Sequence, residues 1–144
     1  MIVLDAYAVL ALLKDEPAAG QVEELVEDDE DAALTTLGIA EVLDHLVRLA
    51  DAEEDEAVLD LAQLGLGTPT AVEAEVTIRA GLLRARHYHR TNRAVSLADC
   101  VAAETARPLG RRLASADPHL LDLCRDERIA VIPLPDSTSR TWSP

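Results

Sequence analysis

Four carboxylates carry the chemistry that this chain could perform. Asp5 closes the short apolar run Ile2-Val3-Leu4 and precedes a helical pattern, and Asp117 closes Leu113-Ala114-Ser115-Ala116 with Pro118 behind it. Each position suits a helix N-cap, and taken alone each acid is better read as a cap than as a ligand. Asp99 follows Ser96 by three residues, the spacing of a capping box. Glu41 shares a helix stripe with Leu37, Asp44 and Arg48, where a solvated carboxylate among charged neighbours suffices. Gathered at one sheet edge, however, the four acids would repel one another unless neutralised. Mg²⁺ or Mn²⁺ supplies that neutralisation, because hard cations take oxygen ligands, keep several waters and bridge carboxylates to phosphate. Two such ions roughly 4 Å apart activate water and stabilise a leaving oxygen without a protein nucleophile. The reaction this grammar describes is phosphodiester hydrolysis.

Other chemistries fit less well. An aspartyl phosphatase would carry a second acid two residues after the first, where Tyr7 stands in Asp5-Ala6-Tyr7. There is no Gly-rich phosphate loop ending in Gly-Lys-Ser/Thr and no helical pair of zinc-binding His flanking a Glu. His87 and His89 are two apart and diverge on a helix, so they read as surface residues, and His45 and His119 read as structural. Cys100 and Cys124 lack the close pairing of a zinc or redox motif and read as small core residues.

The charge is uneven. The 144 residues hold 27 acids and 13 bases, for a formal charge of −14. Residues 1–75 hold 20 of the acids and two bases, whereas residues 76–144 hold seven acids and eleven Arg, so the later half is locally positive. Arg is the better bidentate partner for phosphate, and the Arg79 to Arg93 region, with Arg84, Arg86, Arg90 and Arg93, is the expected place for phosphate contacts. Solvation and compositional bias explain the same residues without a ligand. A 49% hydrophobic share gives enough apolar surface for one self-standing core. No apolar run reaches about 18 residues, and Asp5 interrupts the first run too early for a signal peptide, so the expectation is a soluble, cytoplasmic protein.

Strands and helices alternate in the pattern. Residues 1–4 predict a strand, and Val9, Leu10, Leu12 and Leu13 a helix. Pro17 is expected to open a second helix that ends in the solvated acidic run Glu27 to Asp31. Ala32 to Thr35 predicts a brief strand, Leu37 to Ala50 a helix with one wet face, and Glu53 to Leu64 another helix. Gly65 to Pro69 breaks the chain before a short strand at Thr70 to Val72 and a helix from Glu75 to His89. Arg86 to Arg93 reads as an exposed connection, Ser96 to Ala106 as an Ala-rich helix, Leu113 to Ala116 as a strand, Asp117-Pro118 as a helix start and Ile129 to Ile132 as the last strand. The pattern implies an α/β fold with a mostly parallel sheet covered on both faces, one domain over residues 1–134 and a loose tail over 135–144. Ligands of such sheets bind beyond the carboxyl ends of the strands, where Asp5 and Asp117 fall.

The ordered pieces Ile2-Val3-Leu4-Asp5-Ala6-Tyr7-Ala8-Val9-Leu10, Leu37-Gly38-Ile39-Ala40-Glu41-Val42-Leu43, Ser96-Leu97-Ala98-Asp99-Cys100 and Leu113-Ala114-Ser115-Ala116-Asp117 resemble the PIN-domain family, and within it the VapC-type toxins of toxin–antitoxin pairs. The resemblance covers nearly the whole chain and implies a three-layer α/β/α fold around a twisted, mostly parallel sheet. It implies a metal-dependent endoribonuclease that uses Mg²⁺ or Mn²⁺, with Asp5, Glu41, Asp99 and Asp117 as pocket acids. Asp5, Asp99 and Asp117 would ligate metal directly or through water, and Glu41 would help to hold metal and water. Ser115 would orient Asp5 by a hydrogen bond. A small antitoxin, a homodimer and an RNA substrate are the implied partners, with Leu10, Leu13, Leu25, Leu43 and Leu46 as surface candidates that core packing also explains. The sequence departs from the family pattern at Tyr7, where many members carry a small hydroxyl residue, at Cys100 and in the acidity of the first half. The competing classes are a PIN-like module that binds protein without catalysis and a metal-dependent nuclease that is not a toxin.

Overall fold

Side-chain alternation along one three-residue strand sorts the core. In the computed structural model, which describes residues 1–28, 31–108 and 110–144, β1 (Ile2–Leu4) turns Ile2 and Leu4 to one face of the sheet and Val3 to the other. The first face packs on α1 (Ala6–Leu13), α2 (Ala19–Asp28), α3 (Thr36–Arg48) and α4 (Glu54–Ala62), through Val9, Leu10, Val22, Val42, Leu46 and Ala57. The second packs on α5 (Ala74–His87), α6 (Leu97–Ala106) and α7 (Pro118–Asp126), through Leu83, Val101, Leu120 and Leu123. The strands β2 (Arg112–Ser115) and β3 (Val131–Pro133) lie parallel to β1 in the order β1-β2-β3, with Leu4 opposite Ala114 and Ser115 opposite Pro133. This is the three-layer arrangement expected of buried parallel strands.

The sheet is narrower than the sequence pattern predicts. Ala32 to Thr35 makes single parallel bridges, Val3 to Ala33 and Thr35 to Thr70, rather than a strand. Thr35 must leave the ladder to cap α3, where its hydroxyl accepts the Gly38 amide at 3.0 Å. Thr70 to Val72 likewise contributes one rung, because the chain turns into α5 four residues later. The last strand begins at Val131, two residues beyond Ile129, whose side chain is buried just before it. Pro17 sits in a turn, and α2 starts at Ala19. Of the acidic run, Asp29 and Glu30 lie outside the described residues.

The tail is ordered where looseness was expected. Pro135 and Thr141 form an antiparallel bridge, and the Asp136 carboxylate accepts hydrogen bonds from the Thr138 amide, the Thr138 hydroxyl and the Arg140 amide. The Trp142 indole N–H then reaches Asp122 of α7 at 2.9 Å. These bonds satisfy the backbone of a short turn that hydropathy alone leaves unassigned. Leu10 and Leu46 are core residues, and Leu13, Leu25 and Leu43 are half-buried against that core. No helix among the described residues is long and apolar enough to cross a membrane.

A buried carboxylate ties the second layer together. Glu104 of α6 is 2% exposed and receives Arg79 of α5 at 3.1 Å and a two-pronged Arg107 contact at 2.9 Å. Arg107 continues to Glu127, which also meets His87 at 2.6 Å. Arg79 and Arg107 are each more than a third exposed and each keeps a second carboxylate, Glu75 and Glu127, so removing Glu104 leaves both cations solvated and paired. Glu104→Ala is therefore expected to lower unfolding free energy by about 1 to 2 kcal/mol, read by urea denaturation, and a loss above about 3 kcal/mol would show that the two Arg depend on Glu104 alone.

Candidate active site

The carboxyl end of β1 delivers Asp5 directly into the first turn of α1. Asp5 is the N-cap, its Oδ1 accepting the Ala8 amide at 2.7 Å. Its Oδ2 accepts the hydroxyl of Ser115, which is fully buried at the end of β2. The Ser115 Oγ in turn accepts the Asp117 amide at 3.0 Å. Asp117 is the N-cap of α7, its Oδ1 accepting the His119 amide at 2.9 Å, with Pro118 at the first helical position. At the start of α6, the Asp99 Oδ2 accepts the Ser96 amide at 2.7 Å and the Ser96 Oγ accepts the Asp99 amide at 3.0 Å, a complete capping box. Residues at the starts of α1, α6 and α7 all line one cavity, and a helix N-terminus favours negative charge beside it.

These acids and Glu41 of α3 line one cavity of about 410 Å³, together with Ala6, Tyr7, Leu10, His45, Ser96, Ala116, Pro118 and Asp136. The caps predicted from spacing and the shared pocket are thus the same residues, because capping consumes one carboxylate oxygen. Among the described residues, Asp99 and Asp117 each retain an oxygen that receives no donor, and Glu41 retains both. Asp5 is 5% exposed, and burial, augmented by the charges of Asp99 and Asp117 and opposed by the Ser115 and Ala8 bonds, pushes its carboxyl up to about 7. Burial raises Asp99 above the usual carboxylate range, with the Asp117 charge adding to the rise. Burial also raises Glu41, helped by the charges of Asp99 and Asp44. Each shift has the sign expected of carboxylates crowded together in a place poor in counter-charge.

The donor chemistry fits a hard divalent cation. Among the described residues no three His, Cys, Asp or Glu side chains group into a ready ligand shell. Ions that keep much of their water and bind one or two carboxylates need no such shell. Asp5, Asp99, Asp117 and Glu41 are the residues that would hold one. The thiols are out of the question as ligands: Cys100 and Cys124 are buried in the second core, and burial pushes both up to about 12.

The predicted RNA-contacting Arg residues lie elsewhere. None of Arg84, Arg86, Arg90 and Arg93 lines the cavity. Arg84 donates to the Val95 carbonyl at 2.9 Å and sits 4.2 Å from the centre of the Tyr88 ring. Arg93 pairs with Asp126 at 3.0 Å, with its Nε and Nη1 buried and unpartnered. Arg86 is 4.0 Å from Glu127, and Arg90 is exposed in the turn that follows α5. Two lining residues were not singled out from the sequence. His45, read as structural, is one helical turn beyond Glu41, so its spacing carried the signal; Asp136 belongs to the tail and gave none.

With this geometry in place, the comparisons with known proteins agree. The PIN domain profile matches residues 2–126, and the chain belongs to the PIN domain family. PIN domains are generally nucleases that use divalent metals. No curated protein matches the sequence as a relative. Among solved structures, the chain is similar to FitAcB from Neisseria gonorrhoeae, at 20% identity and a TM-score of 0.65, covering 92% of this chain and 96% of that one. It is also similar to VapBC2 from Rickettsia felis bound to a DNA fragment from their promoter, at 17% identity and a TM-score of 0.66, with 92% and 98% covered. A third is FitAB bound to an IR36 DNA fragment, at 19% identity and a TM-score of 0.65, with 92% and 94% covered. At such identities these likenesses show the fold.

Two predictions follow from the Asp5 environment. Its folded value of about 7 lies above the ordinary 3.8, so between those values the folded protein binds more protons than the unfolded chain. Stability of the metal-free protein therefore falls as pH rises from about 4 to about 7, by on the order of 3 to 4 kcal/mol from this group. Asp5→Asn, measured in chelator by urea denaturation, should gain on the wild type across that window; parallel pH profiles would contradict the burial argument. Ser115→Ala removes both the donor to Asp5 and the acceptor for the Asp117 amide, and should cost about 1 to 3 kcal/mol.

Proposed function

We propose that this protein is a metal-dependent endoribonuclease that hydrolyses RNA phosphodiester bonds with water as the nucleophile. The observation that carries the reading is the meeting of four carboxylates, from the ends of two strands and from two helices, in one cavity. A divalent cation, Mg²⁺ or Mn²⁺, would supply the Lewis acidity that makes water nucleophilic near neutral pH and offsets charge on the phosphate.

The chain's own part is positional and electrostatic. Ser115 and the Ala8 amide fix the Asp5 carboxylate, so its remaining lone pairs have one orientation relative to the cavity. Asp117 is tied to the same hydroxyl through its amide, which sets the separation of two acids by one side chain. The capping box locks Asp99. Glu41, raised by burial and held by no protein donor, helps to hold metal and water. Single-stranded or looped RNA is the substrate form that suits a recessed acidic site, because its backbone bends to enter.

We read the protein further as the toxin of a type II toxin–antitoxin pair, acting in the cytoplasm and neutralised by a small antitoxin, as a homodimer. The VapBC2 and FitAB names of the similar solved complexes support this reading. Exposed Val58 and Leu59 on α4 and Ile78 and Leu82 on α5 offer apolar area for such partners. Arg86 and Arg90, both exposed, are the two of the four expected Arg residues that remain open to phosphate.

The deciding assay is cleavage of a panel of small structured RNAs by the purified protein, with Mn²⁺, with Mg²⁺ and with chelator. Cleavage should need the metal, and Asp5→Asn should reduce it by more than the roughly 10- to 100-fold that loss of an outer-shell partner such as Ser115 costs. Absence of cleavage by a folded, partner-free protein would favour a non-catalytic binding module, and metal-dependent cleavage without growth arrest on expression would favour a nuclease that is not a toxin.

A further inference from the structure

An acidic cavity has little of its own with which to attract a polyanion. No Lys or Arg among the described residues lines it, and residues 1–75 carry 20 acids against two bases. A bound cation offsets some of this charge, but it grips only the phosphate. A contact that does not depend on charge would hold the rest of a flexible strand against the pocket.

The rim supplies one. Of the residues lining the cavity, only Tyr7 and Pro118 are exposed, and Tyr7 is 39% exposed. The chain has three aromatic residues in all, so a ring at this position is not what composition would put there. Tyr7 stands two residues beyond Asp5 in the first turn of α1, while Ala6 and Leu10 of the same helix are buried in the cavity wall. A tyrosine kept for packing usually hides its ring and gives its hydroxyl a partner. Here the ring is open to solvent and the phenol has no hydrogen bond among the described residues.

We propose that Tyr7 is a base-binding residue, whose ring stacks on a nucleobase beside the scissile phosphate and holds single-stranded RNA at a pocket that would otherwise repel it. The proposal rests on the nuclease reading above. It assigns preference for unpaired RNA to a particular side chain, since a base inside a duplex has no face to offer. Stacking tolerates every base, with purines favoured, so the contact selects strand form more than sequence.

The test separates this role from the nuclease reading. In the Asp5→Asn protein, which is expected to cut at a greatly reduced rate, affinity is measured by fluorescence anisotropy for a labelled ten-residue oligoadenylate and for an abasic phosphodiester oligomer of equal length. The oligoadenylate should bind about tenfold tighter or more. Adding Tyr7→Ala should bring the two affinities together by weakening only the oligoadenylate, and Tyr7→Phe, which keeps the ring, should restore the difference. On a cleavable RNA, Tyr7→Ala in the otherwise wild-type protein should raise KM by about tenfold and change kcat less. If Tyr7→Ala keeps both the oligoadenylate preference and KM while the wild type cleaves RNA, the base-binding role falls and the nuclease stands. If the wild type cleaves no RNA and the Asp5→Asn protein binds neither oligomer, the nuclease reading falls and takes this role with it. A melting curve for Tyr7→Ala superposed on that of the wild type shows that the exposed site was altered without unfolding.

Discussion

Two of the four acids at the candidate site depend on one shared hydroxyl. Ser115 donates to the Asp5 carboxylate and accepts the Asp117 amide, so a side chain of β2 fixes the acid after β1 and the acid that opens α7. The bridge exists because of strand register. Leu4 lies opposite Ala114, and the Asp5 amide extends the ladder by donating to the Ala114 carbonyl at 3.1 Å, which brings Asp5 beside Ser115. A slip of one residue would turn Ser115 to the other face of the sheet and leave a buried carboxylate without its donor. The apolar alternation of β1 and the chemistry of Asp5 are therefore a single constraint: the core contacts of Ile2, Val3 and Leu4 hold the register that the carboxylate needs.

That coupling explains why the acids are ambiguous in sequence and informative together. Asp5, Asp99 and Asp117 satisfy every local requirement of a helix start, and the structure uses each as such. A cap is also a carboxylate placed at the positive end of a helix, and parallel α/β topology brings such ends to one edge of the sheet. The order and spacing of the four acids made this edge legible. The sheet's width was not, because a strand shorter than three residues leaves no periodicity, and Ala33 and Thr70 each contribute a single rung before a cap or a helix claims the chain. Asp136 was invisible for another reason. It reaches the cavity only because a turn closed by its own carboxylate folds the tail back, and nothing local in residues 135–144 says where that turn docks.

The distribution of Arg shows how composition leaves a role open that the fold narrows. Eleven Arg in residues 76–144 read as a positive half available to RNA. In the fold, Arg79 and Arg107 surround Glu104, Arg93 pairs with Asp126, and Arg125 pairs with Asp122 and Asp126. Arg84 serves a backbone carbonyl and Arg111 another, at Thr105. These guanidinium groups neutralise acids and carbonyls of their own layer, work that suits a planar fork with several donors. What remains for a polyanion is a scatter of exposed charges, Arg86 and Arg90 near the end of α5 and Arg112, Arg128 and Arg140 elsewhere, none of which lines the cavity.

The two layers consequently solve opposite electrostatic problems. Behind the sheet, a buried acid is compensated within the protein: Glu104 has two Arg within 3.1 Å and stays part of the scaffold. At the strand ends, Asp5, Asp99 and Glu41 are buried or half-buried with no Arg or Lys lining their cavity, and all three are held above the ordinary carboxylate range. Both arrangements place carboxylates out of water, yet only one supplies the counter-charge. Since the same chain has Arg enough to neutralise Glu104 twice over, the uncompensated cluster is not a shortage of bases. Such a cluster, open to solvent on one side and with carboxylate oxygens that no donor among the described residues claims, is a place where a hard cation would offset the cost.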